Sequence, residues 1–204
     1  MRPRAILSAL LLVITASPAS PAFASFGGGG GGGGSAPPPA PPPSSQTQTP
    51  PSEKSSARGE AEKLYAQAYE EIGRAKQDVS DGKVKNAEKR FKKALGWGEQ
   101  ATDLDPEYHE AWNLVGYSAR KLGDYDKAFA AYDKCLAIKS DYAPAREYLG
   151  EAWLEKGDAK KAREQLVLLQ KFGATDDAKT LQTAIDAYES AHPELAKADT
   201  TASQ

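Results

Sequence analysis

Two histidines, one cysteine, three tryptophans, a glycine run and several adjacent carboxylates are the groups in this 204-residue chain that could carry chemistry. A zinc or haem site needs ligands at short spacing, and His109, His192 and Cys135 have none. The histidines fall at expected helix boundaries, as surface or capping residues. A nucleophilic or redox-sensing cysteine needs an accessible, electropositive setting. Cys135 instead follows Tyr132 by one turn on an apolar face, where a small buried packer is expected. The glycines at 27–34 lack the Lys-Ser/Thr and the helix start of a phosphate loop. Asp103 with Asp105, and Asp176 with Asp177, stand where helix ends need capping. Trp112 and Trp153 could stack on sugars or bases, yet both lie on apolar stripes, where core packing is expected. Trp97, between Gly96 and Gly98, keeps two readings: it covers extra helical turns or marks a local contact site. The chain reads as a non-enzyme with no cofactor and no metal.

The elements that position these residues begin after a leader. Arg2 and Arg4, an apolar run from Ala5 to Ala16 and the small-x-small triplet Ala22-Phe23-Ala24 have the layout of a secretory signal peptide over 1–24, cleaved after Ala24. The run is about half the ~20 residues of a membrane span, so an uncleaved anchor is the weaker reading. A periplasmic or secreted product with no membrane span after processing is expected. Residues 25–55 combine the glycines, seven residues of Pro-Pro-Pro-Ala-Pro-Pro-Pro at 37–43 and a Ser/Gln/Thr stretch. With so little to bury, this segment is expected to be a disordered tether, and a docking role for its prolines is the sharper alternative. Residues 56–192 form one domain's worth of chain, and 193–204 a disordered tail. The net charge of −2 is spread as interleaved Lys and Glu, which argues against a nucleic-acid partner. With one cysteine there is no intrachain disulfide.

Within the domain, Gly123-Asp124-Tyr125-Asp126-Lys127-Ala128 returns as Gly157-Asp158-Ala159-Lys160-Lys161-Ala162, 34 residues on. Gly116 pairs with Gly150 and Tyr132 with Leu166 at the same interval. A looser copy, Gly82, Ala87, Phe91 and Ala94, precedes Gly123, Ala128, Tyr132 and Cys135 by 41. The extra seven residues are about two turns, which keeps the apolar face in phase. A fixed period of this length signals stacked supersecondary units. Trp112, Val115, Gly116, Ala119 and Leu122, then Ala128, Ala131, Tyr132, Cys135, Leu136 and Ile138, recur at three- and four-residue steps. They predict an antiparallel helix pair, turned by Gly123 and capped by Asp124. Thr175 to Ala191 predicts a helix covering the open end of the stack.

These residues resemble the tetratricopeptide repeats. The family's pattern is similar to Trp112, Val115, Gly116, Ala119, Ala128, Tyr132 and Ser140, then to Leu149, Gly150, Trp153, Gly157, Ala162 and Leu166. Val115 stands for Leu, Ala119 for an aromatic, Arg146 for Trp and Ser140 for Pro. The resemblance, to an exported bacterial-type member, covers about 65–174. It implies an all-α, right-handed superhelical stack of about three helix pairs plus a C-terminal capping helix. It also implies that first helices line a groove for a peptide or protein partner, with the chain acting as a monomeric interaction adaptor. Carried over residue by residue, the groove slots are Tyr69, Ile72 and Lys76, then Asn113, Tyr117, Arg120 and Lys121, then Glu147, Glu151, Leu154 and Glu155. These are expected on faces away from the packed stripe, basic over the first two repeats and acidic over the third. Tyr117 and Glu147 replace the Asn and Lys of the family's carboxylate clamp, so binding of a chaperone tail is not expected. A structural or assembly role in the cell envelope, through oligomerisation, is the alternative from another class.

Overall fold

The computed structural model describes residues 53–193. The signal peptide assigned to 1–24 therefore lies outside the described residues, as do 25–52 of the tether and 194–204 of the tail. Seven α-helices follow one another, and no strand occurs among the described residues: α1 (Glu53–Ser80), α2 (Val84–Leu104), α3 (His109–Lys121), α4 (Tyr125–Ile138), α5 (Ala143–Glu155), α6 (Ala159–Lys171) and α7 (Thr175–Ala191). They form an all-α repeat stack of three pairs, α1 with α2, α3 with α4 and α5 with α6, closed by α7.

The recurring hexapeptide makes the same turn twice. Gly123 and Gly157 have φ of 79° and 85°, the left-handed region that a side chain disfavours and that reverses the chain out of a helix. The following aspartates then cap the second helices. Asp124 Oδ1 accepts the Lys127 amide at 3.2 Å and Asp158 Oδ1 the Lys161 amide at 3.0 Å.

Close helix approach depends on two interior glycines. A Cβ on Gly116 would lie 2.6 Å from Cε1 of the fully buried Tyr132, so α3 and α4 meet at a distance that only glycine permits. By the repeat, Leu166 stands where Tyr132 does. At Gly150, however, the atom in the way is Cδ2 of Leu181, 2.5 Å from a Cβ there. The groove beside α5 is thus filled from α7, whose Ala178, Leu181 and Ile185 are buried. The covering helix expected from the sequence is this one.

The first pair is longer, and its added turns are used. Gly98 lets α3 lie against α2, since a Cβ there would come 2.9 Å from Leu114 Cδ2. Trp97 packs against the first core cluster beneath Lys93, whose Nζ sits 5.0 Å from the ring centroid, so it covers the added turns. Three large apolar clusters are centred on Phe91, on Tyr132 with Cys135, and on Leu169 with Leu181, and a smaller fourth joins Ala61, Ala101, Tyr108 and Ala111. Each large side chain in them contributes roughly 1.5–3 kcal/mol by burial. Trp112 packs against the second cluster and donates Nε1–H to the Pro106 carbonyl at 2.8 Å. Trp153 stacks on Phe129 at 4.0 Å. Burial pushes the Cys135 thiol up to about 12, so it stays a neutral packing group at physiological pH. No described helix is long and apolar enough to cross a membrane.

Candidate binding groove

Helical spacing builds a groove from three first helices. On α1, Tyr65, Tyr69, Ile72 and Lys76 follow at steps of four, three and four, and so share one face. On α3 the same face carries Glu110, Asn113, Leu114 and Tyr117, and Tyr142 at the N-cap of α5 adds to them with Pro144 and Tyr148 of that helix. Together they line a depression of 290 Å³. Five of the chain's nine tyrosines are in it. Tyrosine supplies a large amphipathic contact area for little lost side-chain entropy, which suits a recognition surface. The rings form two groups: Tyr65 lies 6.1 Å from Tyr69, and Tyr117 lies 5.0 Å from Tyr148. Burial, with Glu147 and Glu151 beside it, pushes the Tyr148 phenol up to about 12. Burial also raises Tyr65, Tyr117 and Tyr142, so all four remain neutral hydroxyls.

The charges do not fall as the sequence alone implies. Arg120 is 3% exposed, with Nη2 2.6 Å from Glu151 Oε2 and Nη1 3.2 Å from Glu155 Oε1. The supposed basic second repeat and acidic third repeat therefore neutralise each other across the α3–α5 contact. Glu147 is also altered. Burial first, then the neighbouring Glu151 and Asp177 charges and a hydrogen bond with Asp177, push its carboxyl up to about 8, against the opposing pull of Arg120. What remains is Lys76 and Lys121, with Nζ 5.1 and 5.5 Å from the Tyr117 ring centroid and no ion pair among the described residues. At the other end Glu110 Oε2 is sealed from solvent. It lies 3.0 Å from His109 Nδ1, within ion-pair distance but without hydrogen-bond geometry. Burial lowers the His109 pKa, so the imidazole is neutral and leaves the Glu110 charge uncompensated.

Of the eleven residues assigned to the groove, Tyr69, Ile72, Lys76, Asn113 and Tyr117 come together in this depression. Lys121 is exposed beside them. Arg120, Glu151 and Glu155 form the ion-pair cluster behind it, and Glu147 faces Asp177 of α7. Leu154 belongs to the third core cluster with Leu166 and Leu181. The expectation that all eleven lie away from the packed stripe is corrected at Ile72, Asn113, Tyr117, Arg120, Glu151 and Leu154, which are buried. Ile72 shares a core cluster with Phe91 of α2, and Leu154 one with Leu166 of α6 and Leu181 of α7, whereas Arg120 and Glu151 are covered where α3 packs beside α5. The sequence reasoning missed Tyr65, Glu110, Leu114, Tyr142, Pro144 and Tyr148. The pair Tyr65/Tyr69 at i, i+4 was the available signal, whereas Tyr142 and Pro144 precede the helix positions at which groove slots are counted.

The Glu147 carboxyl gives a pH-dependent expectation. Unfolded, it ionises near its ordinary 4.5, while folded it holds its proton to about 8, so its contribution to stability falls as pH rises through that window. Glu147→Gln cannot ionise. Its melting temperature by circular dichroism should match wild type near pH 4 and exceed it by a growing margin from pH 5 to 8. A margin independent of pH would contradict the assignment.

Among the described residues no three His, Cys, Asp or Glu side chains are grouped to hold a metal ion. Residues 119–185 match the family model described as tetratricopeptide repeat, which covers α4 to α6 and most of α7. No curated protein matches the chain.

Proposed function

We propose that this chain, whose residues 119–185 belong to the tetratricopeptide repeat family, is an exported, non-enzymatic adaptor that binds an unstructured protein segment in the groove across α1, α3 and α5. The repeats suggest a protein–protein interaction role, and the observation that carries the location is the cluster of five tyrosines around one 290 Å³ depression. A groove of neutral phenols over an aliphatic floor favours side chains of an extended peptide and needs no cofactor. The signal-like layout of residues 1–24 supports export.

Tyr69 is 65% exposed, so Tyr69→Ser removes groove surface without opening the core. Peptides selected from a displayed random library on the full chain should bind Tyr69→Ser at least about tenfold more weakly, with helical circular dichroism unchanged. Ligands indifferent to this substitution would place binding elsewhere. Export is checked separately, by mass spectrometry showing Ser25 as the first residue of the mature chain. Retention of Met1 would contradict it.

A further inference from the structure

The groove has a direction. Tyr65 of α1 lies 5.2 Å from Tyr108 at the start of α3, and Lys76 lies over Tyr117 near the end of α3, so the two helices run the same way along the groove. Glu110 stands at its beginning and Lys76 and Lys121 at its far end. Neither end is neutralised from within. His109 is held neutral by burial, and Arg58, over Tyr108 at 3.7 Å, is already bonded to Glu62 and Asp105. Glu151 and Glu155 are engaged by Arg120 rather than by either lysine. Between the ends lies Asn113, 9% exposed, whose Oδ1 is buried and accepts no hydrogen bond.

Resting on the peptide-binding reading of this groove, we propose that it selects a dipolar stretch of extended peptide. A Lys or Arg sits over Glu110, an Asp or Glu sits about five residues away over Lys76 and Lys121, and apolar or aromatic side chains lie between them on the tyrosines. The spacing follows from geometry. Glu110 to Lys121 and Tyr65 to Lys76 are each eleven residues of helix, ~16 Å at ~1.5 Å per residue. An extended chain covers that length in about five residues at ~3.3 Å each. The cationic end gains from the Tyr65 and Tyr142 faces as well as from the carboxylate.

The test uses the full chain and blocked hexapeptides titrated at low salt. Two carry Lys and Glu at opposite ends in the two possible orders, with Ala and Leu between. A third has Gln at both ends, and a fourth has Lys and Glu adjacent at the centre. One order of the end-charged pair should bind at least about tenfold more tightly than the Gln peptide and the adjacent-charge peptide. The advantage should vanish in Glu110→Gln and in the double variant Lys76→Gln/Lys121→Gln, and should shrink near 0.5 M salt as screening shortens. Equal affinity of end-charged and Gln peptides would overturn the dipolar inference while leaving the groove as a binding site. Equal affinity of the adjacent-charge peptide would overturn the spacing. Binding of none of the four would overturn both the inference and the groove.

Discussion

Arg120→Met should destabilise the fold by about 3–5 kcal/mol, because it leaves the Glu151 carboxylate buried without its counter-charge. Glu151 is 7% exposed and its Oε1 has no hydrogen-bond partner even in the wild-type chain, so Oε2 on Arg120 is what makes its burial tolerable. For a domain of this size ~1 kcal/mol corresponds to roughly 2–4 °C, and a fall of about 6–20 °C is expected in a circular-dichroism melt. The desolvation argument makes a second, sharper claim. The double variant Arg120→Met/Glu151→Met removes both charges and keeps comparable volume, so it should recover most of the loss, as apolar replacements of buried ion pairs commonly do. Additive destabilisation in the double variant would show that packing of the arginine stem, and not its charge, holds α3 to α5.

Deleting residues 175–204 should have a comparable or larger effect. Leu154, Leu166 and Leu169 are buried in the cluster that α7 completes with Leu181 and Ile185. Baring them forfeits roughly 1.5–3 kcal/mol for each side chain returned to water, against a total domain stability of about 5–15 kcal/mol. The truncated chain should melt at least about 15 °C lower and associate in light scattering, since an uncapped repeat exposes a face built to bury its neighbour. Loss of the Arg163–Glu189 ion pair, at 2.6 Å, adds little because both residues are partly exposed. A truncated chain that melts like wild type and stays monomeric would mean that α7 is not the cap of the stack.

How much of this was legible beforehand depends on the range over which each feature is determined. Helix pairing, the turns at Gly123 and Gly157 and the aspartate caps involve residues within a few positions of one another, and the 34-residue recurrence exposes them directly. The small residues Gly116 and Ala128 and the apolar stripes were legible for the same reason, since spacing along a helix is spacing around its axis. The alphabet of the groove was partly legible too, with Tyr69, Asn113 and Tyr117 named from the family pattern alone.

The chain by itself thus determined an all-helical repeat stack, its turns and its end cap. Only the tertiary structure decided which charges count. Sequence assigns Arg120 a positive charge and Glu147, Glu151 and Glu155 negative ones, but whether such charges reach a ligand depends on what lies across the helix–helix contact. Glu155 is 35 residues from Arg120 and Asp177 is 30 from Glu147. No local period links those pairs, and Coulomb and desolvation terms depend on distance and burial in space. The same holds for Tyr65 on α1, Tyr142 at the N-cap of α5 and Tyr148 within α5, which are far apart in sequence and became one surface when α1, α3 and α5 packed side by side.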